Sequence, residues 1–90
     1  MLSEDDLKNF RAWIDRALIR TEEVIEFFPD EKLLRSVRQQ LEYLFSASRS
    51  AEGPSDAQLR RFPLGLTARR LEEVDEELSR LFARMSNYAD

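Results

Sequence analysis

At 90 residues the chain has room for one hydrophobic core and no second domain. Its 14 basic and 18 acidic side chains leave a net charge of −4, which argues against nucleic acid as the main partner, because phosphate binding needs clustered Lys and Arg. With no Cys and no His, it lacks a disulfide framework, a thiolate metal site, the commonest general base and the commonest metal ligand.

The first predicted element opens at Ser3, a good helix N-cap, with Asp6 at the capping-box position and Leu2 and Leu7 placed as a hydrophobic staple. Apolar residues then recur in steps of three and four through positions 7, 10, 14, 17, 18, 21, 24, 25 and 28, which is one helical face. Pro29 disfavours helical geometry at Phe28, so helix 1 is expected over about residues 4–28. Asp30 can cap helix 2, about 31–48, whose buried stripe is Leu33, Leu34, Val37, Leu41, Leu44 and Phe45. The short link predicts an antiparallel hairpin. Periodicity fades over Ser46–Ser50, and Glu52-Gly53-Pro54 breaks the chain. Ser55 with Gln58 makes a second capping box and opens a short helix, about 56–62, carrying Leu59 and Phe62. Pro63-Leu64-Gly65 turns the chain, and Thr67 is expected to cap helix 4, about 68–87, with Leu66 and Leu71 as its staple. Its stripe is Leu71, Val74, Leu78, Leu81, Phe82 and Met85.

The expected fold is all-α: a small antiparallel helical bundle of three long helices and one short one, filling a single domain from 1 to 90. The few β-branched residues fall inside helix-period segments and do not alternate as strands would. No apolar run approaches the ~18 residues of a membrane span. The N-terminus is acidic where a signal peptide is basic. The expectation is a cytoplasmic protein that does not enter membranes.

The inventory for catalysis is thin. Only Lys8 and Lys32 are present, both on polar faces. Glu22/Glu26, Glu72/Glu76 and Glu73/Glu77 stand at i,i+4 spacing, but helical di-metal sites add Glu-x-x-His motifs and there are none here. No catalytic residue, cofactor or metal site is assigned, and the chain is read as a binding protein.

Charge is uneven. Residues 1–30 carry −4, residues 31–62 carry +2 and residues 63–90 carry −2. The densest run, Glu72-Glu73-Val74-Asp75-Glu76-Glu77, exceeds what a helix N-terminus needs. Helices 1 and 4 can thus form an acidic wall for a basic partner surface, which speeds encounter and selects partners. Trp13, Phe27 and Tyr43 lie off the apolar stripes; they either touch the short helix or serve as anchors for a partner. The basic doublets Arg60-Arg61 and Arg69-Arg70 sit among acids.

Several segments resemble a known family. Trp13-Ile14-Asp15-Arg16-Ala17-Leu18, Pro29, Leu33-Leu34 and Gln40-Leu41-Glu42-Tyr43-Leu44 resemble its first helical hairpin. Leu59-Arg60-Arg61-Phe62, Leu64-Gly65, Ala68 and Asp75-Glu76-Glu77-Leu78-Ser79-Arg80 resemble its second half. The family is the small helical immunity proteins of bacterial type VI secretion systems, the best known of which neutralise toxins that hydrolyse NAD(P)+. The resemblance departs at Ser46–Ser55 and in register over Arg69–Val74. It implies a cytoplasmic protein that binds a cognate toxin domain and blocks its active site. The toxin-binding residues expected on that reading are Glu72, Glu73, Asp75 and Glu76, then Glu22, Glu23 and Glu26, with Trp13 and Tyr43 as aromatic anchors. Two alternatives stand beside it: immunity to a different nucleotide-modifying toxin, and a self-associating helical adaptor. The free chain is a candidate homodimer, and a tight homodimer unchanged by toxin favours the last alternative.

Overall fold

A computed structural model describes residues 2–89; Met1 and Asp90, the ends of the expected domain, lie outside the described residues. Helix α1 spans Glu4–Phe27. The Ser3 hydroxyl accepts the Asp6 N–H at 3.1 Å, and Glu4, Asp5 and Asp6 face the positive end of the helix dipole. The Asp6 carboxylate accepts the Tyr88 hydroxyl at 3.3 Å. Leu7, Phe10, Ile14, Ala17, Thr21 and Val24 are buried. Phe28, expected to close this stripe, lies just past the helix and is 49% exposed, because Pro29 holds it out of helical geometry.

Helix α2 spans Lys32–Ser48. Its N-cap is Glu31, whose carboxylate accepts the Leu33 N–H at 3.3 Å, and not Asp30 as expected. Phe45 is also a correction: it sits at the edge of the buried stripe and is half-exposed, under the Arg49 guanidinium 4.2 Å from its ring centre. Pairs between Glu22 and Arg38 and between Asp15 and Arg49 run in opposite directions along the two helices, so α1 and α2 are antiparallel. Arg11 of α1 extends this ladder, donating from Nε to the Ser48 carbonyl at 2.7 Å and from its terminal nitrogen to the Ser50 carbonyl at 3.0 Å. The chain then turns at Gly53, whose φ of 76° suits glycine. A Cβ there would meet Leu7 Cδ1 at 2.7 Å.

Helix α3 is one turn, Asp56–Leu59, opened by a reciprocal capping box between Ser55 and Gln58 with bonds of 2.9 and 3.1 Å. It stops short of the expected residue 62, since Pro63 disfavours helical geometry at Phe62.

The largest departure is in the last quarter. The expected helix over 68–87 is two helices, α4 at Leu64–Leu71 and α5 at Glu76–Ala89. Thr67 is not a cap but a buried residue inside α4, donating its hydroxyl to Gln40 Oε1 at 3.2 Å, and Leu66 of the expected staple is 45% exposed. Residues 72–75 form a tight corner, with Val74 and Asp75 N–H groups both bonded to the Leu71 carbonyl. Asp75 then starts α5: its carboxylate accepts the Leu78 N–H at 3.0 Å and its carbonyl accepts the Ser79 N–H at 3.1 Å. The Ser79 hydroxyl reaches back to the Ala68 carbonyl at 2.7 Å and closes the corner. The break lets α4 and α5 fold against each other, so that Leu64, Ala68 and Leu71 meet Leu78, Phe82 and Met85 in one core.

The helices form a ring in section. α1 touches α2 and α5, α4 touches the same two, and α1 and α4 lie on opposite corners without contact. Phe10, Ile14, Leu34, Leu41, Leu71 and Phe82 are fully buried, each stabilising the fold by roughly 1.5–3 kcal/mol. Exposed ion pairs contribute about 0–1 kcal/mol each, so the core and not the surface charge holds the bundle together. Among the described residues, no buried side-chain polar atom lacks a partner.

Candidate functional site

The acids that stood apart in sequence meet in space. Arg16 donates from Nε and one terminal nitrogen to the two carboxylate oxygens of Glu77, a side-on pair. One turn on, Arg20 grips Asp75 with bonds of 3.2, 3.1 and 2.6 Å. Because these pairs run in step, the 72–75 corner lies beside the second half of α1. Glu23 joins the network, 3.8 Å from Arg20 and 4.0 Å from Arg16. Hydrogen bonding from Arg20 holds the Asp75 carboxyl below its usual range, against the opposing effect of burial. Arg16 does the same for Glu77.

This sorts the expected contact residues. Asp75 is committed to the fold: its side chain is only 9% exposed and is held by Arg20 and the Leu78 N–H. Glu76 is exposed and paired with Arg80. Glu22 is exposed and paired with Arg38 at 2.8 Å. Glu26, Glu72 and Glu73 are exposed and form no ion pair with any described residue. Glu22, Glu23 and Glu26 on α1, with Glu73 at the corner and Glu76 at the start of α5, make up an acidic ridge, whereas Glu72 lines the groove between α4 and α5 with Arg69.

Two features of that ridge work against stability. The last turn of α1 has no basic residue and carries Glu26, an acid at the negative end of the helix dipole. Large apolar side chains stand exposed beside the acids: Ile19 at 57% and Phe27 at 77%. Ile19 was not singled out from the sequence, although its carboxylate neighbours at 15, 22, 23 and 26 on a helical net were a signal.

The two aromatic anchors separate. Trp13 is half-buried, stacked on Tyr88 with ring centres 5.5 Å apart, and it walls an open groove of about 580 Å³ between α1 and α5 with Arg16, Glu77 and Arg80. Burial, together with nearby Asp6, pushes the Tyr88 hydroxyl pKa upward. Tyr43 lies on the α2 side facing away from α1, edge-on to Phe62 at 5.4 Å, and is not part of the acidic ridge. Among the described residues there is no cluster of three or more potential metal-ligating side chains, and no helix is long and apolar enough to cross a membrane.

What this arrangement offers is a rigid surface of fixed charge and exposed apolar side chains. No curated protein and no solved structure matches the chain. A family model does: Tsi6 matches residues 9–90, which takes in all of α2 to α5 and most of α1. The chain belongs to the Tsi6 family and is thereby a type VI secretion immunity protein, whose partner is a toxin.

Proposed function

We propose that the chain neutralises an NAD(P)+ glycohydrolase toxin in the cytoplasm by covering its active site, and that it does no bond-breaking itself. The contact surface is the ridge of α1 and the 72–75 corner, with Glu22, Glu23, Glu26, Glu73 and Glu76 as its acids and Ile19 and Phe27 as its apolar anchors. Trp13 lies at the margin, in the α1–α5 groove. Support for the toxin class comes from the resemblance of the hairpin and of the Asp75–Arg80 segment to immunity proteins of that kind. A cleft that holds a dinucleotide must compensate phosphate charge, so it presents basic groups that a ridge of carboxylates complements.

The observation that carries this reading is the unpaired, dipole-opposed Glu26 beside a Phe27 that is 77% exposed. Neither residue helps the bundle fold, and local rules are broken in this way where a surface is kept for binding. The test mixes the chain with the toxin domain encoded beside it and follows NAD+ loss. Hydrolysis stops at equimolar wild type, and a Glu23→Arg, Glu26→Arg, Phe27→Ala variant with unchanged circular dichroism loses protection by at least tenfold, about 1.4 kcal/mol. Full protection by that variant would place the contact elsewhere. Undiminished hydrolysis with excess wild type would remove the toxin class.

A further inference from the structure

A second apolar surface lies across the bundle from the first, and its charge is opposite. Leu66 is 45% exposed, Tyr43 is 38% exposed, and half-buried Phe62 packs edge-on against Tyr43. The Gln40–Thr67 bond pins α2 to α4 at this place, so Tyr43 and Leu66 flank one seam. Arg61 lies 5.7 Å from the Phe62 ring centre, and Arg70 follows Leu66 by one helical turn. Residues 57–71 contain four arginines and no acid. Arg60, Arg61, Arg69 and Arg70 form no ion pair with any described carboxylate. The opposite corner inverts this pattern: residues 21–31 contain five acids and no base, around Ile19, Phe27 and the half-exposed Phe28.

We infer that the free chain associates head to tail with a second copy of itself, the acidic apolar end of α1 seating on the Tyr43–Phe62–Leu66 surface of the next molecule. Each surface offers what the other lacks: carboxylates around exposed phenylalanines, and guanidiniums without a carboxylate partner around Tyr43, Leu66 and the half-buried Phe62. Within one molecule the end of α1 does not reach Leu66 and Arg70, because α1 and α4 are not neighbours in the bundle. The two surfaces are unlike, the end of α1 on one copy and the Tyr43–Phe62–Leu66 seam on the next. The contact is heterologous and propagates. It uses the α1 end that also belongs to the toxin-facing ridge, so a bound toxin and a neighbouring copy exclude each other. The self-association stands on the chain alone, whether or not the toxin assignment holds.

Sedimentation velocity on the pure protein tests it. The mean mass rises with concentration past that of a dimer at low salt, and association weakens about tenfold between ~0.05 and ~0.5 M salt. Two variants are then made, Arg61→Glu with Arg70→Glu, and Phe27→Ser with Phe28→Ser. All four side chains are on the surface, and circular dichroism checks the fold. Each variant alone sediments as a monomer. Mixed, they form a one-to-one dimer and nothing larger, because only one intact surface of each kind remains. A wild type that stays monomeric at every concentration overturns the inference. So does a self-association that stops at the dimer, or a mixture of the variants that stays monomeric.

Discussion

Gly53 shows how much one position can carry. Its φ of 76° is a conformation that residues with a Cβ rarely adopt, and the space a methyl would occupy is filled by Leu7 Cδ1 at 2.7 Å. Gly53→Ala adds backbone strain to overpacking, and the expected loss is about 2–3 kcal/mol in urea unfolding at neutral pH. A loss below about 0.5 kcal/mol, within the range of an ordinary surface substitution, would show that the 50–55 turn is not braced on Leu7. At this scale the sequence was readable wherever the partner is near in the chain. Ser3 with the Asp6 N–H, and Ser55 with Gln58, are separated by three residues and carry their own signature. The Thr67–Gln40 bond spans 27 residues. Nothing in the Thr67 neighbourhood marks its hydroxyl for Gln40, so the same residue reads as a cap.

At the scale of elements, the division of the last helix was the main surprise, and its signal was present. Asp75 followed by Glu76 and Glu77 is an N-cap with acids in the first turn, the pattern of a helix start. It was masked because Leu71, Val74, Leu78 and Leu81 keep helical spacing straight through the corner. Periodicity survives a break when the pieces on both sides bury the same face. Asp75 is both the cap of α5 and the anchor of α1, through Leu78 and Arg20. Asp75→Ala therefore costs about 2 kcal/mol, more than a cap on an isolated helix. The pH dependence follows from the same contacts. The Asp75 and Glu77 carboxyls are held below their usual values by Arg20 and Arg16. Their contribution is complete above the unfolded-state values, near pH 4, and disappears as pH falls through the lower folded-state values. Wild type loses stability from roughly pH 4.5 downward, and Asp75→Ala loses less over the same range. Parallel curves for the two proteins would mean that Asp75 does not couple folding to acid.

For the whole molecule, the sequence showed an acidic wall and the structure shows where it is neutralised. The Arg16–Glu77 and Arg20–Asp75 pairs tie α1 to the corner and α5 and withdraw part of the charge from the surface. Glu26, Glu72 and Glu73 are left to project a field. Such a field acts on encounter more than on residence. The association rate with the toxin should fall about tenfold between ~0.05 and ~0.3 M salt, with a smaller change in dissociation. Replacing Glu22, Glu23 and Glu26 by Gln should flatten that dependence in stopped-flow measurements. An association rate indifferent to salt in the wild type would leave the apolar anchors as the only determinant. What sequence could not supply at this scale is adjacency: Tyr43 looked equivalent to Trp13 in composition and spacing, yet the ring of helices puts it on another face.

The reach of Arg11 across to the Ser48 and Ser50 carbonyls has a consequence for how the bundle comes apart. The last turn of α2 has no basic residue of its own; the Phe45, Ser46 and Ala47 carbonyls are met locally by the Ser48 hydroxyl, the Arg49 N–H and the Ser50 hydroxyl, and the Ser48 carbonyl by a guanidinium 37 residues earlier. That end of α2 is thus ordered partly by local hydroxyl bonds and partly by docking on α1. When the hairpin opens, the Arg11 clasp is lost and the final turn of α2 unwinds with it. The turn carrying Gly53 loses its footing in the same event, so fraying at the far tip of the hairpin and opening of the 48–53 link are one cooperative unit, not two.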